Sequence, residues 1–293
     1  MQGILMMLVA YFLFATLDTS VKWMLGLGFS ALQLAFLRYA GHFVISLGEA
    51  AIKGGHALRV PRELLPKVFL RGSLLVASTV GNFIALKFLS LTVTSAIMFS
   101  APILVCFLAG PLMGERVGPW RWAAILLGFV GVLVVIQPFG EEFQWIAFLC
   151  LINALGMALY SIMTRMLAGQ VSAGAMQLYS GGIGTVVLLP VAFATWEPSV
   201  DPFVFFLWAG LGLCGWAGHE LLTRAHALAP ASTLMPFSYS FLLYLIVLNY
   251  IVFTQAPSVS TIFGAGIIVF AGLVIWQRKR SAADQAAAEI VTR

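Results

Sequence analysis

Charged residues and cysteines are both scarce in this chain of 293 residues. Asp, Glu, Lys and Arg make up 9% of it, and the mean hydropathy is +1.00, whereas soluble domains are about a quarter charged. The three cysteines, Cys106, Cys150 and Cys214, do not have the spacing of a metal or redox motif. The shortage of charge therefore excludes a soluble domain of ordinary composition, and the cysteines indicate neither a metal centre nor a disulfide framework.

The chain instead has ten apolar stretches of about twenty residues, the length that a helix needs to cross the hydrocarbon core of a bilayer. The first lacks a basic segment before it and is longer than the apolar core of a cleavable signal, so we expect it to be retained. The predicted fold is an all-α membrane protein of ten transmembrane helices. The stretches cover Gly3–Met24, Ser30–Ile52, Val68–Leu89, Thr92–Met113, Trp120–Pro138, Gln144–Leu167, Ser172–Trp196, Phe203–Ala227, Ala231–Thr254 and Val259–Gln277.

The net charge of +5 does not indicate a nucleic-acid partner, because the basic residues are concentrated in the loops on one side of the predicted membrane. With a cytoplasmic N-terminus, 13 of the 16 Lys and Arg residues fall on the inner side, which follows the positive-inside rule. We therefore predict a multi-pass protein of a bacterial-type inner membrane with both termini cytoplasmic. Its partners would be the lipid bilayer and a small-molecule substrate, and a monomer is compatible with this. The outer loops carry acids, namely Glu141, Glu142, Glu197 and Asp201, and the inner basic residues are Lys53, Arg59, Arg62, Lys67, Arg71, Arg116, Arg121, Arg165, Arg224, Arg278, Lys279, Arg280 and Arg293.

The two halves of the chain match each other weakly at an offset of about 140 residues. Three matches occur in order along the chain, and they predict an internal duplication of five helices, although two apolar halves also produce chance matches. Because five is odd, the second copy would be inverted in the membrane, as in many secondary transporters. The predicted units are residues 1–138, residues 144–277 and a cytoplasmic tail, residues 278–293. The matches pair Lys22–Leu25 with Thr164–Leu167, Ala31–Leu34 with Ala175–Leu178, and Gly131–Val134 with Gly272–Ile275.

Several segments of the first half resemble the EamA repeat of the drug/metabolite transporter superfamily. The second half is more degraded, with Thr254-Gln255 at the place of Gly114-Glu115. This resemblance implies ten helices, cytoplasmic termini and movement of a small organic solute, with no cofactor. Within the superfamily the chain is most similar to amino-acid exporters of the YddG type. The segments are Phe14–Lys22, Ala85–Ala96 continuing through Pro102 to Gly114-Glu115, and Gly128–Leu133.

Ionisable residues inside the apolar stretches are candidates for gating or coupling, since a buried charge in a bilayer must be paired or hydrated. Asp18 and Lys22 stand one helical turn apart, and Arg38 in the second stretch falls at a similar depth. We expect these three to form a network with either a structural and gating role or a role in substrate binding. His42, one turn after Arg38, is either a packing residue or a proton carrier.

A second polar cluster, His219-Glu220, lies in the eighth stretch and comes close to a zinc-protease motif. That motif needs histidines at positions i and i+4, but Thr223 stands at i+4 and the next histidine is His226. We therefore expect no metal here. His219 and Glu220 either face the pathway and couple protons, or Glu220 pairs with Arg224.

Neutral amides and deep aromatic residues are the candidates for substrate binding, because they hold a polar solute without a buried charge. Interhelical bonding and ordinary packing are the alternatives. Pro102 and Pro236 interrupt their helices and are candidate hinges. The binding candidates are Asn82, Phe99, Asn153, Tyr160, Trp216 and Tyr239.

These features predict a secondary transporter that moves neutral or aromatic amino acids and related metabolites by alternating access, in the direction of export. The alternative is a carrier of a larger solute such as S-adenosylmethionine or riboflavin. An intramembrane enzyme is the alternative of a different class, but the sequence has no paired aspartates on facing helices and no complete H-E-x-x-H motif. A channel would require repeated charged or carbonyl motifs along a pore. We therefore predict that the protein is not an enzyme.

Overall fold

Helix accounts for nearly all of the chain that the computed structural model describes, namely residues 2–53, 59–88, 94, 97–114, 117–136, 146–254, 256, 258–260, 262–271 and 273–274. Those residues contain no β-strand. The predicted tail, residues 278–293, and the outer acids Glu141 and Glu142 lie outside them. The helices are α1 (Gln2–Gly26), α2 (Ala31–Lys53), α3 (Leu65–Phe88), α4 (Ala101–Met113), α5 (Pro119–Ile136), α6 (Ile146–Leu167), α7 (Ala173–Ala194), α8 (Pro202–Leu228), α9 (Ala231–Leu234), α10 (Ser240–Phe253) and α11 (Ile262–Ala271).

Each of the ten predicted stretches contains helix, so the all-helical prediction is confirmed. Six stretches are both long and apolar enough to cross a membrane, and the helices at Ala101–Met113, Pro119–Val134 and Ile262–Ala271 are apolar but shorter. Helix α2 does not reach the same hydropathy because it carries Arg38, His42 and Glu49. Polar residues inside a spanning helix are usually functional or packed inward.

Local sequence sets several helix ends. The side chain of Ser172 accepts a bond from the Ala175 amide at 3.2 Å, and Asp201 accepts one from Phe203 at 2.8 Å, so that each caps the start of a helix. Gly114 ends α4 in the left-handed region at φ 67°, which glycine adopts without strain. Thr254, at the end of α10, has φ 54° and is the non-glycine residue of the described chain with positive φ.

The fourth and ninth predicted stretches are both interrupted. A turn at Phe99 and Ser100 precedes α4, and Pro102 occupies the first turn of that helix, where its missing N–H costs no hydrogen bond. In the ninth stretch, a 3₁₀ segment at Met235–Tyr239 containing Pro236 joins α9 to α10. The two prolines therefore stand at breaks between helical pieces and do not kink continuous helices, and their role as hinges stays a prediction.

The helices pack as two groups with a linking pair. Helices α1, α8 and α10 form the first group, and α3, α4 and α6 form the second. Helices α2 and α7 pack against each other, with α2 also against α8 and α7 also against α3. In the predicted duplication, α1 corresponds to α6, α2 to α7 and α3 to α8. The α1–α8 contact then corresponds to the α6–α3 contact, and the α2–α8 contact corresponds to the α7–α3 contact.

Candidate functional site

A cavity lies between the two helix groups, near the middle of their helices. The first group contributes Tyr11, Phe14 and Asp18 from α1 and His219 from α8, and the second contributes residues of α3, α4 and α6. Both helix breaks border it, through Phe99 and Pro102 on one side and Met235 and Ser238 on the other. Discontinuous helices at a midplane cavity are the usual construction of solute sites in secondary transporters. The remaining lining residues include Arg38, Leu75, Ser78, Thr79, Asn82, Phe83, Met157, Ser161 and Phe241.

Arg38 is the cationic residue in the cavity wall. It is 6% exposed, and its Nη2 donates to His219 Nε2 at 2.8 Å while its Nη1 donates to Thr79 Oγ1. Arginine has only donors, so the Nε2 atom of His219 must accept. Neutral imidazole carries one proton, which therefore lies on Nδ1, 2.9 Å from the Tyr160 hydroxyl. The arrangement keeps the histidine neutral and leaves the charge of Arg38 without a counter-ion in these bonds.

Asp18 is half-buried and lines the same cavity. The expected network of Asp18, Lys22 and Arg38 does not form by direct contact: within the described residues, no ion pair shorter than 4 Å joins Asp18 to either cation. Lys22 Nζ instead donates to Asn249 Oδ1 at 3.4 Å and lies 4.6 Å from the centre of the Phe253 ring. Helix α10 packs beside α1, and its Asn249 and Phe253 contact Lys22 in place of Asp18, which lies one turn earlier in α1.

Arg71 corrects another expectation, since the charge pattern assigned it to an inner loop. It lies inside α3, is fully buried, and has all five N–H donors bonded to neutral oxygens. Its guanidinium also lies 4.5 Å from the Tyr160 ring centre. The position of Arg71 early in an apolar stretch is a sequence signal for a buried polar site. The residues that supply the hydroxyl groups around it, however, form no recognisable pattern in the sequence. The acceptors are Thr164, Ser180, Tyr160 and Thr223 side chains and the Met176 carbonyl, at 2.8 to 3.3 Å.

Two of the six predicted binding residues, Asn82 and Phe99, line the cavity. Tyr160 lies behind it, bonded to His219 and Arg71. Tyr239 is fully buried behind Phe99, at 5.6 Å between ring centres, and its hydroxyl donates to the Ile125 carbonyl at 3.2 Å.

The remaining predicted residues also lie outside the cavity lining. Asn153 is 3% exposed and packs on Gly81, and Trp216 is half-buried. His42 is fully buried, and neither ring nitrogen has a hydrogen-bond partner among the described residues. The prediction that Glu220 pairs with Arg224 is confirmed, with an oxygen–nitrogen distance of 2.8 Å.

No group of three or more His, Cys, Asp or Glu side chains able to hold a metal occurs in the described parts of the chain. What the helices enclose is a solute-sized space with aromatic walls and two charges of opposite sign. The space lies between two groups of spanning helices, an arrangement that is typical of membrane transporters.

Residues 1–137 match the EamA-like transporter family. The match lies in the half of the chain that has the resemblance noted in the sequence, and that resemblance is confirmed there. A solved crystal structure with 19% identity superimposes with a TM-score of 0.77, covering 96% of this chain and 97% of that one, and it shares the fold.

Three curated relatives are similar over almost the whole chain. The S-adenosylmethionine uptake transporter of Rickettsia prowazekii is 26% identical, covering 93% of this chain and 94% of the relative. The riboflavin transporter of Rhizobium johnstonii is 29% identical, with coverages of 94% and 91%. The pseudopaline exporter CntI of Pseudomonas aeruginosa is 24% identical, with coverages of 95% and 97%. These relatives are transporters and not enzymes.

Proposed function

We propose that the protein is a secondary carrier of S-adenosylmethionine or a chemically similar solute, bound in the cavity between the two helix groups. The observation that carries this proposal is the pairing of aromatic walls with two opposite charges in one cavity. S-adenosylmethionine has an aromatic base and an amino-acid head group that carries both signs. The relatives named above favour this larger solute over the amino-acid export that the sequence first indicated.

Riboflavin is the second candidate, since a relative at 29% identity carries that name and aromatic side chains stack well on a flavin ring. A flavin, however, has no ionised amino and carboxylate pair to balance Asp18 and Arg38. The charges in the cavity therefore favour S-adenosylmethionine.

The proposed cycle is rocking of the α1–α8–α10 group against the α3–α4–α6 group about the cavity, with the two halves of the chain as inverted repeats. Matching packing pairs support the repeat. Gly156 of α6 packs on Ser78 of α3, and Gly218 of α8 packs on Phe14 of α1; exchanging the halves turns one pair into the other. The Tyr160–His219 and Arg71–Thr223 bonds cross between the groups at 2.9 and 3.1 Å and would have to break in one half of the cycle.

The charge distribution supports an orientation with both termini in the cytoplasm of a bacterial inner membrane. In that orientation, the cluster around Arg71 closes the cytoplasmic side of the cavity. S-adenosylmethionine would then enter from outside when the two groups part on the opposite face.

Counterflow in proteoliposomes tests the substrate. Vesicles loaded with unlabelled S-adenosylmethionine should accumulate the labelled compound from outside, and protein-free vesicles should not. Riboflavin and aromatic amino acids, loaded in parallel, measure the alternatives. Accumulation of riboflavin without accumulation of S-adenosylmethionine would replace the first candidate with the second.

A further inference from the structure

Neutral groups hold the guanidinium of Arg38 in place, and no acidic side chain among the described residues pairs with it. Its guanidinium is bonded by the hydroxyl of Thr79 and by neutral His219, and its Nε has no partner among the described residues. The side chain is 94% buried, yet it forms part of the cavity wall. A cation held rigidly by neutral groups at a cavity is prepared to receive an anion from the cavity, because charge-assisted bonds to carboxylates are the strong ones.

Asp18 presents the opposite charge to the same cavity. Across the described part of the chain, its carboxylate has no hydrogen bond and no ion pair within 4 Å, although Arg38 lines the same space. Charges at this depth normally pair with each other. That these two do not touch leaves a gap between a positive group that is held in place and a negative group without a partner among the described residues, which a ligand with both charges would fill.

We propose that Arg38 and Asp18 are the two poles of a subsite for the zwitterionic head group of an α-amino acid. Arg38 receives the carboxylate, and Asp18 receives the ammonium group. His219 is a positioning residue: its Nε2 accepts a bond from Arg38 and fixes the direction of the guanidinium. The rest of the solute extends along Phe14, Phe83 and Phe99, which line the same cavity. This assignment rests on the proposed function for its solute class, but it specifies which atoms of the solute are recognised.

The subsite makes a prediction about ligands that needs no mutation. A zwitterion engages both poles, whereas an ester or an amine without the carboxylate engages only Asp18, and an acid without the amino group engages only Arg38. Two series serve as probes: S-adenosylmethionine with its decarboxylated form, and phenylalanine with its methyl ester, phenethylamine and phenylpropionate. Inhibition constants in wild-type proteoliposomes should be at least tenfold weaker for every compound that has lost one charged group.

Two variants assign the poles separately. Asp18→Asn should abolish the preference for phenylalanine over phenylpropionate and keep the preference over phenethylamine. Arg38→Gln should do the reverse. Asp201→Asn is the matched control, because Asp201 is exposed at the start of α8, away from the cavity, and asparagine also caps helices. His219→Gln retains an acceptor for Arg38 and should preserve the ranking of ligands, whereas His219→Leu should reduce the preference for carboxylates.

The outcomes separate this inference from the proposed function. If the phenylalanine series depends on both charges but S-adenosylmethionine does not bind, the subsite stands and the proposed solute is wrong. If S-adenosylmethionine binds and its decarboxylated form competes equally well, the subsite is wrong while the proposed function stands. If no zwitterion in either series binds, both are wrong. Should Arg38→Gln fail to fold, the ligand series on the wild type still decides.

Discussion

Thr79 and His219 both bind the guanidinium of Arg38, and they stand 140 residues apart, which is the offset of the predicted internal duplication. Thr79 comes from α3 in one helix group, and His219 comes from α8 in the other. Arg38 belongs to α2, which packs with α7 between the groups. One side chain therefore contacts both helix groups, at the place where the cavity has its positive charge.

The five hydrogen bonds of Arg71 should make this residue important for stability. Arg71→Lys leaves two of the five donors absent and the surrounding hydroxyls incompletely bonded, and we expect a loss of about 2–4 kcal/mol. Thermal melting of the purified protein in detergent measures it. Lys67→Arg, four residues earlier and exposed, is the control and should melt like the wild type. An unchanged melting temperature for Arg71→Lys would mean that the bonds contribute little.

The approach of α2 to α8 depends on two glycines. An added methyl group at Gly212 would lie 2.6 Å from Gly41 Cα, and one at Gly41 would lie 2.8 Å from Gly212 Cα. Gly212→Ala should therefore separate the helices and destabilise the fold by about 1–3 kcal/mol or more. Gly210→Ala, in the same helix with nothing within 4 Å of the added carbon, should be neutral or slightly stabilising. Equal yields and melting temperatures for both variants would contradict this packing.

The sequence predicted that each of the ten apolar stretches contains helix, because twenty apolar residues in a row have few other folds available. It did not predict which side of each helix faces the cavity. Depth follows from the rise of 1.5 Å per residue, but a helix whose lipid-facing and core-facing sides are both apolar has no periodic signal for its rotation. Asn82 and Phe99 therefore fell on the cavity, while Asn153 and Trp216, at plausible depths, did not. The hydrogen-bond acceptors around Arg71 come from three helices, α6, α7 and α8, and only tertiary packing brings them together.

Thr254 ends α10 in the same left-handed conformation in which Gly114 ends α4. A β-branched residue is strained there, whereas glycine is not. Thr254→Gly should raise stability by about 0.5–1 kcal/mol, even though it removes the hydroxyl bond to the Phe253 carbonyl. Gly114→Ala should lower stability by a similar amount. A destabilised Thr254→Gly protein, measured by thermal melting, would show that the hydroxyl bond outweighs the backbone strain.

The proposed orientation predicts which faces a membrane-impermeant thiol reagent can reach. In a background with Cys106, Cys150 and Cys214 replaced by alanine, a cysteine at exposed Arg59 should react only from the cytoplasm. A cysteine at Val200, which is 94% exposed, should react only from outside. Intact cells and inverted vesicles, labelled in parallel, give the two readings. Reaction of both positions from the same side would rule out an odd number of spans between them.

Phe99 and Tyr239 pack ring against ring, but only Phe99 borders the cavity. Phe99→Ala should change the relative uptake of aromatic and non-aromatic solutes by about tenfold, the equivalent of 1.4 kcal/mol of binding energy. Tyr239→Phe removes one buried bond, to the Ile125 carbonyl, and should lower stability by about 1 kcal/mol without changing the uptake ratios. Uptake of paired solutes and thermal melting are measured on both variants. If Tyr239→Phe alters the ratios and Phe99→Ala does not, the substrate contacts the second ring, and the cavity extends behind the break in the fourth segment.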